Sequence, residues 1–259
     1  RRWALADPDP AGAEAKRLLA LEAYDQAVRL SPNSAQLRNE RGMTYLDLGD
    51  LEQASTQYAE SLALDDRFIQ TYLLLGEMYY GQGDWSRAAW AYERATGVDA
   101  RSLQAWAALG NAYANLGEWG QAVNAFQRAL EVDYRTPRIW AYMGDAYSRL
   151  GDAESAIDAY QRAVALDDAF AEAWRALGEH LARLDRWDEA QAAFERLLEL
   201  APDDYTAHRA LAQVFASTGR GTEALAHAER AVSLAPDADR SDAEALLAQV
   251  QSMAGKDAS

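Results

Sequence analysis

Apolar residues recur along the chain at helical spacing, in short segments separated by turn residues. The stretch 103–136 shows the pattern clearly. Its apolar residues lie three or four positions apart over 103–113, and a second helical stripe runs over 122–130. Gly117 lies between the two stripes, and glycine is the residue best suited to a left-handed helix C-cap. The pattern therefore predicts two antiparallel helices joined by a tight turn.

This two-helix pattern returns every 34 residues, and three kinds of residue mark the period. The first are glycines with one alanine at the end: Gly42, Gly76, Gly110, Gly144, Gly178 and Ala212. The second are alanines: Ala20, Ala54, Ala88, Ala122, Ala156, Ala190 and Ala224. The third are aromatic: Tyr24, Tyr58, Tyr92, Phe126, Tyr160 and Phe194. Such a period is typical of repeat proteins, in which stacked hairpins bury faces that a single hairpin leaves exposed.

Small residues at fixed positions predict close contact between the two helices of each hairpin. We expect Gly110 to face Ala122, because two small residues let helix backbones approach closely while the aromatic rings fill the space above and below. The departures from the pattern are local. Asp185 replaces the turn glycine in the fifth full repeat, and Arg38 and His208 replace the first-helix aromatic residue in the terminal full repeats.

The residues at the recurring positions resemble the tetratricopeptide repeat. In the third full repeat, the matching residues are Trp106, Leu109, Gly110, Tyr113, Gly117, Ala122, Phe126 and Ala129. The resemblance covers nearly the whole chain, about residues 12–254. It implies an all-α fold, a right-handed superhelical solenoid of helix-turn-helix hairpins.

The period also divides the chain. Residues 1–10 are expected to form an extended arm, and residues 11–34 a half-repeat that consists of a second helix only. The six full repeats are expected at 35–68, 69–102, 103–136, 137–170, 171–204 and 205–238. Residues 239–259 are expected to form a last helix and a tail. A solenoid of this kind is one continuous body whatever its length.

Composition narrows the possible partners. The chain has 41 acidic and 25 basic residues and a net charge of −16, which argues against a nucleic-acid or anionic-membrane surface. It has no cysteine, and no apolar run is long enough for direct membrane insertion. The sequence begins with Arg1-Arg2 and not with Met, which slightly favours an extracytoplasmic location over a cytoplasmic one and leaves the compartment open.

Groups for catalysis do not converge in the sequence. The three histidines, His180, His208 and His227, lack the helical spacing of metal ligands, and we expect the first two to be packing or surface residues. Glycine-aspartate pairs such as Gly83-Asp84 mark turns and do not form a phosphate loop. The sequence therefore predicts a non-catalytic protein without a cofactor or a bound metal.

In this family, ligands usually lie in the concave groove formed by the first helices. The resemblance implies that the partner-binding residues are Asn39, Tyr80, Asn111, Asn115, Arg138, Arg149, Arg175 and Arg209. Pairs such as Arg175 with Glu179, four positions apart, are common on solvated faces, where each contributes about 0.2–0.5 kcal/mol. Arg138 and Arg209 lack such a local partner, so they could receive carboxylates from a bound segment of a protein or peptide.

One function of the family can be compared directly with the sequence. Chaperone-binding members hold a C-terminal carboxylate with lysine, arginine and asparagine residues on three consecutive first helices. The matching positions here are Leu73, Glu77, Ala108, Arg138 and Tyr142. Because they lack that set, we expect no chaperone-tail carboxylate clamp.

Two functions remain open from the sequence. The first is a protein-interaction scaffold that binds a partner segment in the groove. The second is a structural protein that stacks head-to-tail into a homopolymer, its two terminal half-repeats completing one another. The residues that would make this self-contact are Trp3, Leu5, Leu18, Leu21, Leu246, Leu247 and Val250. Against the second function, an extra C-terminal helix is a common solubilising cap in this family.

Overall fold

The computed structural model describes residues 10–257, with side-chain surroundings for residues 12–253. This part of the chain is helical and has no strand, and it forms two compact units. Unit 1 ends at Asp133 and contains α1 (Pro10–Leu30), α2 (Ala35–Asp47), α3 (Leu51–Leu64), α4 (Ile69–Gly81), α5 (Trp85–Val98), α6 (Leu103–Leu116) and α7 (Trp119–Val132). Unit 2 begins at Tyr134 and contains α8 (Pro137–Leu150), α9 (Ala153–Leu166), α10 (Ala171–Arg183), α11 (Trp187–Leu200), α12 (Tyr205–Ser217), α13 (Gly221–Leu234) and α14 (Arg240–Asp257).

Within each unit, an even-numbered helix and the next odd-numbered helix have a short turn between them and pack closely. The pairs are α2 with α3, α4 with α5 and α6 with α7 in unit 1, and α8 with α9, α10 with α11 and α12 with α13 in unit 2. Helix α1 packs on α2, and α14 packs on α13. The prediction of an all-α fold built from helix-turn-helix hairpins is confirmed. We call the even-numbered member of each pair the first helix and its partner the second helix.

Each glycine of the 34-residue period lies against an aromatic ring of its own hairpin. A Cβ atom added to Gly110 would lie 2.5 Å from Cε1 of Phe126, so the group nearest to Gly110 is this ring; Ala122, the predicted neighbour, is buried on the same second helix. The same contact recurs between Gly42 and Tyr58 (2.6 Å), Gly76 and Tyr92 (2.3 Å), Gly144 and Tyr160 (2.8 Å), and Gly178 and Phe194 (2.8 Å). These distances are below any normal carbon–carbon contact, and the rings are almost fully buried. The ring therefore occupies the space that a side chain would need.

The last hairpin replaces both members of this contact. Ala212 stands where the other repeats have glycine, and Ala228 stands sixteen residues later, where they have a ring. Both alanines are fully buried, with 0% of their surface exposed. The extra methyl group of Ala212 is accommodated because the ring is missing, so the two positions change together.

In five of the six full repeats, all except the second, which has Tyr72, the aromatic position of the first helix ties the repeat to the turn before it. Its side-chain nitrogen lies within hydrogen-bonding distance of the backbone carbonyl six residues earlier. The bonds join Trp106 to Ala100 (2.9 Å), Trp140 to Tyr134 (2.7 Å), Trp174 to Asp168 (3.0 Å), His208 to Pro202 (3.1 Å) and Arg38 to Pro32 (3.5 Å). The residues that replace tryptophan in the terminal repeats therefore keep a nitrogen at that position.

The turn within a hairpin needs a left-handed backbone. Glycine supplies it in five hairpins, with φ between 74° and 79°: Gly49, Gly83, Gly117, Gly151 and Gly219. Asp185 supplies it in the remaining one, with φ of 58°, and it is the one non-glycine residue with positive φ between residues 10 and 257. The left-handed region disfavours residues with a Cβ atom, so this turn carries backbone strain.

The three histidines have different surroundings. His180 is buried, and its ring nitrogens lie 2.8 Å from the Ala176 carbonyl and 2.7 Å from the Ser148 hydroxyl, so it is a packing residue. His208 and His227 bring their Nδ1 atoms to 3.0 Å, a contact that their separation of 19 residues did not suggest. Burial lowers the pKa of His227, and the charge of His208 lowers it further.

The glycine–ring contact can be tested in one hairpin. Gly76→Ala should lower the free energy of unfolding by about 1–3 kcal/mol, because its methyl group would overlap the Tyr92 ring. Gly97→Ala in the second helix of the same hairpin is the matched control, since nothing lies within 4 Å of its added Cβ. The control should raise that free energy by about 0.5–1 kcal/mol through helix propensity. Urea denaturation measures both, and equal effects would contradict the contact.

The strain at Asp185 predicts a stabilising substitution. Asp185→Gly should raise the free energy of unfolding by about 1 kcal/mol, because glycine adopts positive φ without a steric penalty. The reverse change at an equivalent turn, Gly151→Asp, should lower it by a similar amount. Thermal denaturation of the two variants decides the question, and a stability loss in Asp185→Gly would show that the aspartate relieves its own strain.

Candidate functional site

Three of the predicted groove residues meet in unit 1. The side-chain amide of Asn115 on α6 donates to the hydroxyl of Tyr80 on α4 (2.9 Å) and to the carbonyl of Asn111 (2.8 Å). The Tyr80 ring packs edge-on against Trp85, with the ring centroids 4.6 Å apart. The structure therefore brings Tyr80, Asn111 and Asn115 together across two adjacent first helices, as uncharged polar groups.

Asn39 differs from the other predicted groove residues because it is buried. Only 3% of its surface is exposed, and its amide exchanges hydrogen bonds with the Thr71 hydroxyl (3.0 and 3.1 Å). Thr71 also contacts the hydroxyl of Ser61 at 2.9 Å. The prediction that Asn39 contacts a partner is corrected: this side chain joins α2 to α4 inside unit 1.

In unit 2, a cavity of about 190 Å³ lies between the first helices α8 and α10. Its polar lining consists of Arg138, Tyr142, Asp145, Tyr160 and Glu172. The apolar part comes from Ala141, Phe170, Ala173 and Ala176. The cavity therefore offers a guanidinium, carboxylates and an apolar floor side by side.

A residue of the aromatic core reaches this cavity. The Tyr160 hydroxyl donates to Oδ1 of Asp145 (2.7 Å), although the sequence predicted only a packing role for Tyr160. Burial raises the pKa of Asp145, while the bond from Tyr160 and the charges of His180 and Arg149 act in the opposite direction. The available signal in the sequence was tyrosine in place of phenylalanine, which adds a hydroxyl group at a buried position.

The arginines of unit 2 fall into two groups. Arg175 is held by Asp204, at 2.5 Å, and not by Glu179 as the local spacing suggested. Arg138 and Arg209 make no ion pair with any residue between 12 and 253; Arg209 lies over the Tyr205 ring, 5.8 Å from its centroid. These two guanidinium groups are therefore the cations of the first helices that no carboxylate of the described chain neutralises.

The hydrogen bond from Arg175 also changes the pKa of Asp204. Burial alone would raise the pKa of Asp204, but hydrogen bonds from Thr206, Ala207 and Arg175 lower it overall. Asp204 is also the N-cap of α12, where its side chain accepts from the Ala207 N–H at 2.9 Å. Arg175 is therefore part of the connection between α10 and α12, and the prediction that it contacts a partner has no support from its position.

The C-terminal residues proposed for self-assembly pack against their own unit. Val250 has 1% of its surface exposed, and it belongs to the hydrophobic core of unit 2. Leu246 and Leu247 are half-buried against the same core. The prediction that this stripe is available to a second copy is therefore wrong for Val250.

The N-terminal residues proposed for the same contact are more open. Leu18 is 51% exposed and Leu21 is half-buried on α1. Trp3 and Leu5 lie outside the described residues. The exposed apolar surface on α1 thus comes from the adjacent Leu18 and Leu19 and from Leu30.

Within the residues described, no three metal-ligating side chains come together. None of the helices in that region has the length and apolar character needed to span a membrane.

Comparison with known proteins identifies the repeat. One family model described as a tetratricopeptide repeat matches residues 23–54, and a second one matches 73–133, 107–170, 143–190 and 175–239. A third model, described as a TPR repeat, matches residues 42–83. No curated protein sequence matches at a significant level.

Several solved structures share the fold. The C-terminal part of a TPR repeat-containing protein from Cytophaga hutchinsonii has a TM-score of 0.75 and 17% identity, covering 90% of this chain and 95% of that one. Pseudomonas aeruginosa PilF has a TM-score of 0.63 and 15% identity, covering 89% and 99%. YrrB, described as a TPR protein with an unusual peptide-binding site, has a TM-score of 0.65 and 21% identity, covering 75% and 97%. The family models cover most of the sequence, and the chain belongs to the tetratricopeptide repeat family.

Proposed function

We propose that this protein is a non-catalytic interaction scaffold whose first helices bind an extended segment of a partner protein. The cavity between α8 and α10 is the observation that carries the proposal. The cavity places Arg138, which makes no ion pair with residues 12–253, beside hydrogen-bond acceptors and apolar surface. A peptide-binding site is described for YrrB, which shares the fold.

The polar groups of the cavity complement a peptide. Arg138 can hold a side-chain carboxylate through a bidentate bond, because its guanidinium has no carboxylate partner among residues 12–253. Asp145 and Glu172 can accept backbone N–H groups of the same segment. Tyr142, which is 39% exposed, offers its ring as a surface for packing. The cavity thus suits a short extended segment that carries an acidic residue.

Arg209 adds a second position for a carboxylate in the same unit. It lies on α12, and its Nε atom is buried without a hydrogen-bond partner. In unit 1, the corresponding surface offers Tyr80 and Asn115, which are uncharged, and the acidic Glu77. The preference for acidic residues is therefore assigned to unit 2.

The alternative function, head-to-tail stacking, meets a steric objection. Helix α14 can be aligned with the first helix α12 through their buried residues, because Ala243 and Val250 follow Ala207 and Val214 by 36 positions. In this alignment, Ala248 takes the position that Ala212 has in α12. Joining α14 to α1 of another copy would place Ala248 against Tyr24, which is in phase with the rings of the other repeats. Where a ring occupies that position, the residue facing it is always glycine. We therefore do not propose this assembly.

The groove proposal is tested with peptides selected against the protein. A phage-displayed random peptide library is selected on the complete chain, and the enriched peptides are synthesised and titrated by calorimetry. Arg138→Ala combined with Arg209→Ala should weaken their binding by about tenfold or more at low salt, because two charge-assisted bonds are lost. Added salt should weaken binding to the unchanged protein in the same direction.

The matched control removes two arginines from exposed turns of unit 1. Arg67→Ala combined with Arg101→Ala changes the net charge equally, and only the backbone N–H groups of these residues make hydrogen bonds. This control should bind the peptides normally. Equal weakening in both double variants would show a general charge effect, and unchanged binding in the first would remove these arginines from the site.

A further inference from the structure

A second and larger cleft lies in unit 1, between the second helices α5 and α7. Its volume is about 530 Å³. Helix α5 forms one wall, α7 forms the other, and residues of α6 form the floor. The floor contains the Trp106 and Tyr113 rings, while Glu93 and Glu131 lie on opposite walls. No residue of the first-helix surface discussed above lines this cleft.

The Trp106 ring lacks the cover that the rings at the same position in the two neighbouring repeats have. In the following repeat, the guanidinium of Arg162 lies over the Trp140 ring, 4.9 Å from its centroid. In the preceding repeat, Arg94 lies over the Tyr72 ring at 6.0 Å. The equivalent residue beside Trp106 is Arg128, which instead donates to Glu131 on its own helix (2.9 Å). Within residues 12–253, no guanidinium lies over the Trp106 ring.

The charges around the ring favour a cation. Glu93 accepts a hydrogen bond from the Tyr113 hydroxyl, and the carboxylates of the cleft outnumber its one guanidinium, that of Arg128. Burial raises the pKa of Tyr113. The hydrogen bond to Glu93 raises this pKa further, and so do the negative charges of Glu93 and Glu118. The cleft is thus a negatively charged site with an aromatic floor.

Amide side chains supply the remaining polar surface. Gln121 and Asn124 are exposed on the α7 wall, and neither side chain has a hydrogen-bond partner in the described chain. An amide side chain can donate and accept at once, which matches the N–H and C=O groups of an extended peptide backbone.

We propose that this cleft binds an arginine side chain of a partner protein. The guanidinium stacks on Trp106 and pairs with Glu93, while Gln121 and Asn124 hold the flanking backbone. Arginine fits better than lysine because its planar group stacks on aromatic faces and matches carboxylates through a fixed fork of donors. Arg162 over Trp140 shows the same stacking within this chain. The cleft and the first-helix surface would then select opposite charges.

The experiment uses the complete chain and a defined probe, the peptide acetyl-Gly-Gly-Arg-Gly-Gly-amide. Its binding is followed by NMR through the indole N–H signals, with the Trp106 signal assigned by its loss in Trp106→Phe. That variant should fold, because Tyr72 occupies the same position in the preceding repeat. The arginine peptide should shift the Trp106 signal in a saturable manner. The same peptide with citrulline, which is isosteric and uncharged, should not.

A charge-neutral variant locates the site. Glu93→Gln should weaken the apparent affinity by about fivefold, because it removes one carboxylate and keeps a hydrogen-bond acceptor for Tyr113. Glu229→Gln is the matched control, since it lies at the same position of α13, outside the cleft. The proposal is overturned by any of three results: no saturable shift, equal binding of the citrulline peptide, or equal losses in the two glutamate variants.

Discussion

The contact between a first-helix glycine and a second-helix ring determines how each hairpin packs. Five rings occupy the volume that a Cβ atom would need, at 2.3–2.8 Å from its ideal position. Neither partner can be exchanged alone without overlap or a cavity. The last hairpin supports this interpretation, because Ala212 and Ala228 replace the glycine and the ring together. The remaining residues of each repeat are arranged around this contact.

Both surfaces proposed for binding depend on aromatic residues of the repeat framework. Tyr160 packs against Gly144 and uses its hydroxyl to hold Asp145 at the cavity of unit 2. Trp106 donates its N–H to the Ala100 carbonyl, and its side chain lines the cleft of unit 1. These rings are fixed by packing, so a partner does not need to order them on binding. Preorganisation of this kind reduces the entropic cost of association.

The sequence predicted features that depend on one residue type or on local spacing. The glycine positions, the turn glycines and the pairing of helices into hairpins follow from the 34-residue period. Contacts across a hairpin or between hairpins were less predictable. The sequence paired Gly110 with Ala122, and it did not indicate that the Phe126 ring lies nearest to Gly110. Arg175 was matched with a residue four positions away, but its carboxylate comes from Asp204, 29 residues later.

A double-mutant cycle on Gly178 and Phe194 tests the glycine–ring contact most directly. Each single change to alanine should destabilise the protein, one through overlap with the ring and the other through the cavity that the lost ring leaves. The double variant should lose less free energy of unfolding than the two single variants lose in sum, by about 1 kcal/mol or more. The reason is that the new methyl group fills space that the ring vacated. The natural pair Ala212 and Ala228 shows that this arrangement packs. If the two losses simply add, to within about 0.5 kcal/mol, the contact does not control the hairpin.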